Sequence, residues 1–109
     1  FMWVRNIISD KIVAAELPLE VREVMQYYNV ITDEKVEEIG RLAVSEDEAR
    51  RIEEMALAEL KALEEARKAL EREYEKQPGN ERIMNAMLEN QQQKSEILDK
   101  IIHTLNQVN

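Results

Sequence analysis

Apolar residues recur along this chain at spacings of three and four, a pattern that predicts α-helices and no strands. Three such stretches are present, at about residues 18–43, 46–77 and 81–108, within a single domain of residues 17–109. The second and third stretches are the longest and are nearly equal in length. The pattern therefore predicts an all-α fold, in which these two form a long antiparallel, coiled-coil-like hairpin and the first helix packs against its groove.

The connection between the second and third helices is predicted to be a sharp reversal at residues 77–80. Pro78 cannot continue a helix, Gly79 accepts the left-handed conformation that often ends one, and Asn80 can cap the helix that follows. At the preceding connection, Ser45 and Glu48 match a capping box, in which each side chain binds the backbone N–H of the other residue. Both connections are therefore expected to be short.

The second helix carries apolar residues every seven positions, namely Ala49, Ala56, Leu63 and Leu70, with Ile52, Leu60, Ala66 and Tyr74 beside them. This repeat is typical of coiled coils and supports one functional alternative, a structural coiled-coil or oligomerisation module of a cytoplasmic protein. Acid–base pairs four residues apart, such as Glu64 with Lys68, are expected to mark its solvated face.

The third helix is apolar near both ends and polar between them, where its seam passes through Asn90, Gln91 and Lys94. Two interpretations follow. Buried polar groups can fix the register of the hairpin, as a buried Asn does in coiled coils. Alternatively, they can line a groove for a ligand or for a segment of a partner protein.

Two adjacent tyrosines, Tyr27 and Tyr28, lie in the middle of the first helix. Neighbouring helical residues point about 100° apart. One ring is therefore expected to enter the core while the other lies at its rim with its hydroxyl in water.

Charge and composition narrow the classes of function. The chain has 15 Lys and Arg against 23 Asp and Glu, a net charge of -8, which disfavours nucleic acid and anionic membrane surfaces as partners. It has no cysteine, no nucleophile motif and no Gly-rich phosphate loop. We therefore expect no enzyme, no cofactor and no metal site. His103 is expected at the surface, and the methionines are interpreted as core packing, namely Met25, Met55, Met84 and Met87.

Residues 1–16, FMWVRNIISDKIVAAE, have weak helical spacing and are interpreted as an N-terminal arm or a juxtamembrane segment. No apolar run approaches the roughly 20 residues that a membrane-spanning helix requires. Any membrane attachment is therefore expected to use a segment that this sequence does not contain.

Two stretches carry a resemblance to a known family. One is VMQYY at residues 24–28, followed by Ile31, Lys35 and Ile39; the other is NERIMNAMLEN at residues 80–90, with Ile97 and Leu98 close behind. They resemble the extracytoplasmic part of bacterial membrane-anchored anti-sigma factors, over about residues 17–107. In that family a tyrosine pair opens a helix, and a long helical hairpin turns at a Pro/Gly/Asn segment.

The resemblance implies a negative regulator in which a cytoplasmic segment holds an extracytoplasmic-function sigma factor and a single membrane helix follows. The present domain would then lie on the periplasmic or extracytoplasmic side, as a non-catalytic regulatory or sensory domain. It would contact another protein or a second copy of itself, for instance as a homodimer. The expected partner surface comprises Tyr27, Tyr28, Asn90, Gln91 and Lys94. The chain departs from the family pattern by beginning FMWVRNIISDKIV, where a polar linker is expected. A metal or small-ligand sensor is a further alternative, and the residues themselves fit a cytoplasmic location equally.

Overall fold

Three long α-helices make up the computed structural model, which describes residues 17–108. Helix α1 spans Leu19–Leu42, α2 spans Glu46–Lys76 and α3 spans Glu81–Val108. No strand occurs among residues 17–108, and the predicted all-α, three-helix fold is confirmed. The expected arm or juxtamembrane segment at residues 1–16 lies outside the described residues.

The connection between α1 and α2 ends at Ser45, which caps α2. Its Oγ accepts a hydrogen bond from the backbone N–H of Glu48 at 3.2 Å, as predicted. The Glu48 carboxylate accepts from the N–H of Val44 at 3.3 Å rather than from that of Ser45, so the return bond of the predicted capping box is shifted by one residue. Three acids in the first turn also place negative charge at the positive end of the helix dipole.

The hairpin turn between α2 and α3 depends on Gly79 and Asn80. Gly79 has a φ of +83°, a left-handed conformation that side-chain-bearing residues rarely adopt. Asn80 Oδ1 accepts a hydrogen bond from the backbone N–H of Ile83 at 3.1 Å, and Asn80 Nδ2 donates to Gln77 Oε1 at 2.9 Å. Both residues therefore have the roles that the sequence predicts.

Helix α3 packs against both other helices. The turn makes α2 antiparallel to α3. Met25 of α1 clusters with Met87 of α3. Ile39 of α1 clusters with Ile101 of α3, so these two helices run in the same direction. The result is an up-down-up bundle of 45 × 22 × 18 Å.

The core is divided into two apolar clusters along the bundle axis. The distal cluster, at the end away from the hairpin turn, consists of Val36, Ile39, Ile52, Ala56, Leu60, Leu98, Ile101 and Leu105. The turn cluster consists of Leu17, Met25, Tyr74, Met84 and Met87. Three of the methionines thus pack in the core as interpreted, whereas Met55 is 37% exposed. Polar side chains lie at the level between the two clusters.

Candidate functional site

Among residues 17–108 six polar residues are buried, and the five that belong to α2 and α3 occupy the middle of the bundle; we call these five the polar layer. Asn90, Gln91 and Lys94 of α3 are 5%, 1% and 3% exposed. Glu64 and Arg67 of α2 are 5% and 3% exposed. Because charged side chains are rarely buried unless they are paired, their contacts decide what this layer can do.

Ion pairs link the charged members of the polar layer. Lys94 Nζ lies 2.7 Å from Glu64 Oε1, at ion-pair distance but without hydrogen-bond geometry. Arg67 Nε donates to Glu64 Oε2 at 3.1 Å, and Arg67 Nη1 donates to Glu71 Oε1 at 2.8 Å. Two buried cations therefore share Glu64, and Glu71 balances the second positive charge at the edge of the bundle.

The expectation that Glu64 lies on the solvated face with Lys68 is wrong. Glu64 is buried, and the structure pairs it with Arg67 and Lys94. An acid–base pair four residues apart has the same spacing on any face of a helix, so the spacing itself does not show which face meets solvent.

Arg67 was not singled out by the sequence interpretation, although the spacing contains a signal for it. Leu60, Arg67 and Tyr74 are seven residues apart, almost two helical turns, and all three are buried. Ala66, predicted beside the seam, is exposed instead. Helical angle therefore places Arg67 at the centre of the buried face of α2, despite its charge.

The amides of the polar layer are only partly paired. Asn90 Nδ2 donates to the backbone carbonyl of Leu63 at 2.9 Å, which ties α3 to α2. Asn90 Oδ1 and the side-chain Oε1 and Nε2 atoms of Gln91 have no hydrogen-bond partner among the described residues. The Thr32 hydroxyl of α1 also has none there. Unpaired buried polar groups lower stability, so these amide and hydroxyl atoms do not themselves stabilise the fold.

Lys35 connects α1 to α3 beside the polar layer. Its Nζ donates to Ser95 Oγ at 2.7 Å and lies 2.9 Å from Asp99 Oδ1. The Asp99 side chain is 61% exposed, so the ion pair contributes little free energy. Two polar contacts from one ammonium nevertheless favour one rotation of α1 about its axis.

Neither tyrosine of the pair enters the core, contrary to the expectation that one would. Tyr27 is 62% exposed and Tyr28 is partly buried. Their rings pack edge to face, with centroids 5.7 Å apart and an interplanar angle of 67°. The reason is the direction of the buried face of α1, which is defined by Met25, Thr32, Val36 and Ile39.

The outer face of α1 exposes large apolar side chains. Leu19, Tyr27 and Val30 are 61%, 62% and 56% exposed, and Val24 beside them is 40% exposed. At 100° per residue, the first three lie within about 80° of one another around the helix. We call Leu19, Tyr27 and Val30 the apolar stripe; Leu19 and Val30 were not singled out by the sequence interpretation.

The five residues of the expected partner surface thus fall into two groups. Asn90, Gln91 and Lys94 are buried in the polar layer, whereas Tyr27 lies in the apolar stripe and Tyr28 supports its ring. A partner that docks on the folded bundle can therefore contact Tyr27 but not the three residues of α3. Whether any of them binds a partner stays a prediction.

Other features of residues 17–108 bear on the alternative functions. A solvent-open groove of about 450 Å³ between α2 and α3 is lined by Glu59, Ala62, Leu63, Gln93, Glu96, Ile97 and Lys100. His103 is exposed, with its Nε2 3.1 Å from Gln107 Nε2. Within this part of the chain no three His, Asp or Glu side chains are grouped as metal ligands. None of the three helices is long and apolar enough to cross a membrane.

Comparison with known proteins adds no relative. No family model matches the chain, and no curated protein or solved structure matches it. The resemblance to anti-sigma factors therefore rests on the residue patterns at 24–39 and 80–98 alone. Among the described residues, the apolar stripe groups three of the large apolar side chains that are exposed.

Proposed function

We propose that this chain is a non-catalytic regulatory or sensory domain that acts by binding another protein. The apolar stripe of α1 is the observation that supports this proposal. Exposed apolar side chains are common when scattered, but their concentration on one helix face is typical of interaction sites. Tyr27, a member of the stripe, is also a residue type that is enriched where binding energy concentrates.

The class of regulator comes from the resemblance to membrane-anchored anti-sigma factors. In this proposal the two resembling stretches have different roles. The tyrosine pair contributes to the contact surface of α1, whereas residues 80–90 form the cap and first turns of α3, where Met84 and Met87 pack in the turn cluster. The domain would then act on the extracytoplasmic side, and the sigma-binding and membrane segments would lie outside this sequence.

The alternative of a coiled-coil or oligomerisation module has weaker support. Its motivation is the seven-residue repeat of α2, yet Ala56 of that repeat and Leu60 beside it are already buried in the distal cluster. A small-ligand sensor would draw support from the groove between α2 and α3, and the polar layer does not line that groove.

Site-specific photo-crosslinking in cells tests the proposed function. A benzophenone amino acid replaces Tyr27 in the full-length protein, and a matched variant carries it at Glu65, an exposed residue of α2. We expect a discrete adduct with one other protein from position 27 only, and we expect it to disappear when Leu19→Ser and Val30→Ser are added. Identical adducts from both positions, or none from position 27, would refute the proposal.

A further inference from the structure

The charges around the apolar stripe indicate the chemistry of its partner. We propose that the stripe docks an amphipathic helix whose apolar face is flanked by Lys and Arg. This inference rests on the proposed function and specifies the partner of the same surface.

Acidic side chains lie within the apolar stripe and along its borders. Glu23 lies one turn from both Leu19 and Tyr27, and Glu34 lies one turn beyond Val30. Glu20, Glu23 and Glu34 are all exposed, as are Asp33 and Glu37. These carboxylates give the outer face of α1 a negative potential that complements a basic partner.

One basic side chain of α1, Arg22, lies one turn from Leu19, whereas Lys35 and Arg41 do not reach the stripe. Arg22 and Lys35 are both partly buried, and the Lys35 ammonium is bound to Ser95 and Asp99 of α3. Arg41 is exposed but lies about 16 Å beyond Val30 along the helix axis. A partner that covers the stripe therefore meets apolar groups together with carboxylates, with Glu23 between Leu19 and Tyr27 and with Glu20 and Glu34 at the borders.

The shape of the stripe favours a helix as the bound element. From Leu19 to Val30 it extends about 16 Å, or three helical turns. No strand edge exists among residues 17–108 to which an extended peptide could add. The ridges of α1 instead match the grooves of a second helix. The edge-to-face contact with Tyr28 restrains the Tyr27 ring before binding, which lowers the entropy lost on docking.

Other occupants fit the charge less well. A second copy of this chain would bring the same stripe, and therefore Glu20, Glu23 and Glu34, against their own counterparts. An anionic lipid surface would meet the same repulsion. A basic helix gains from these carboxylates, which increase the association rate and the selectivity for positive partners.

A synthetic peptide tests the inference with the whole chain. The probe is a helix of about five turns with a stripe of Leu flanked by Lys. One control peptide has Glu in place of Lys, and another has the same composition as the probe with its Leu residues scattered around the helix. Affinity is measured by fluorescence anisotropy at low and high salt. We expect the probe to bind, the Glu peptide not to bind, and the scattered peptide to bind at least about tenfold more weakly.

Matched variants of the chain locate the binding surface. We expect Leu19→Ser with Val30→Ser to weaken probe binding at least about tenfold, because both side chains lie in the stripe. Val44→Ser with Met55→Ser removes two other exposed apolar side chains and should leave the affinity unchanged. Neutralising the carboxylates in and around the stripe with Glu20→Gln, Glu23→Gln and Glu34→Gln should weaken binding several-fold at low salt and reduce its salt dependence.

Several results would overturn the inference. Equal binding of the scattered peptide would show attraction by net charge alone, and equal weakening by the Val44 and Met55 variant would place the site elsewhere. An adduct of a benzophenone at position 27 with a second copy, or with residues 1–16 of the same chain, would identify a different occupant. Binding of the stripe to anionic vesicles in preference to the probe would do the same.

The cellular crosslinking experiment separates the two levels of the proposal. A protein adduct at position 27 that is unaffected by the three Glu→Gln substitutions refutes the basic helix and leaves the proposed function standing. The absence of any protein adduct at that position refutes the proposed function itself.

Discussion

The buried ion pair between Glu64 and Lys94 provides the sharpest test of the polar layer. Glu64→Leu removes the carboxylate that lies 2.7 Å from Lys94 Nζ and 3.1 Å from Arg67 Nε. Arg67 still has Glu71 at 2.8 Å, whereas Lys94 keeps a charge that is 3% exposed and has lost this carboxylate. We therefore expect Glu64→Leu to destabilise the fold strongly.

The size of the effect follows from the burial of both charges. At an effective dielectric constant of about 20, two unit charges 2.7 Å apart attract by about 6 kcal/mol. Desolvation offsets most of this attraction, so the intact pair contributes little compared with an apolar pair of similar volume. Removal of one partner leaves the desolvation cost without the attraction, a loss of about 3–5 kcal/mol. Since a domain of this size has a folding free energy of about 5–15 kcal/mol, the loss is large.

The second substitution distinguishes a broken ion pair from a poorly fitting leucine. Lys94→Met removes the uncompensated ammonium while it keeps a long apolar side chain. We expect Glu64→Leu with Lys94→Met to recover most of the lost stability, with a coupling free energy of about 2–3 kcal/mol in the double-mutant cycle.

Urea unfolding followed by circular dichroism measures all four chains of the cycle at one protein concentration. Glu65→Leu is the matched control, because it makes the same chemical change at an exposed neighbouring position and should alter stability by less than about 0.5 kcal/mol. Equal effects of Glu64→Leu and Glu65→Leu would show that the polar layer is hydrated. A double variant with the summed loss of the two single ones would show that these charges are not coupled.

Two further predictions concern the turn and the core. Gly79→Ala should lower the free energy of unfolding by about 1 kcal/mol because φ is +83° there, whereas Gly40→Ala in α1 should raise it by about 0.5–1 kcal/mol because a Cβ meets no atom within 4 Å. Their melting temperatures should therefore move in opposite directions, and a shift in the same direction would contradict the assigned turn geometry. Leu98→Ala should lower the free energy of unfolding by about 2–5 kcal/mol because the side chain is 0% exposed in the distal cluster. Ile97→Ala, at a half-buried position, should lower it clearly less in the same urea titration. Equal losses would contradict the described core.

The helices could be predicted from the sequence because local signals agree with the tertiary packing. Periodic apolar residues mark each helix, and Ser45, Gly79 and Asn80 act through bonds and dihedral angles within a few residues of their own positions. Such interactions depend little on what packs against the helix. The ends of all three helices therefore lie within one residue of the predicted positions.

The burial and the ion pairs of the polar layer could not be predicted in the same way. The polar seam of α3 is visible in the sequence. The spacing of Glu64 and Lys68 wrongly predicts an exposed Glu64, and the charge of Arg67 argues against its burial. Whether Glu64 and Arg67 face inward depends on the rotation of α2 against α3, which the distant apolar clusters determine together. The position of Tyr28 outside the core likewise depends on the rotation of α1 that buries Met25.

The two unusual features of the bundle are related through the orientation of α1. The charged residues of the polar layer lie inside the bundle, which lowers stability compared with apolar residues there. The apolar stripe lies outside it, which lowers solubility compared with polar residues there. Lys35 favours one rotation of α1 by binding Ser95 and Asp99, and Met25, at 0% exposure, fixes the same face inward. With that face buried, Leu19, Tyr27 and Val30 necessarily point to solvent, since they lie on the opposite side of the helix. Lys35 lies beside the polar layer, so the contact that orients α1 at this level also keeps the proposed docking stripe exposed.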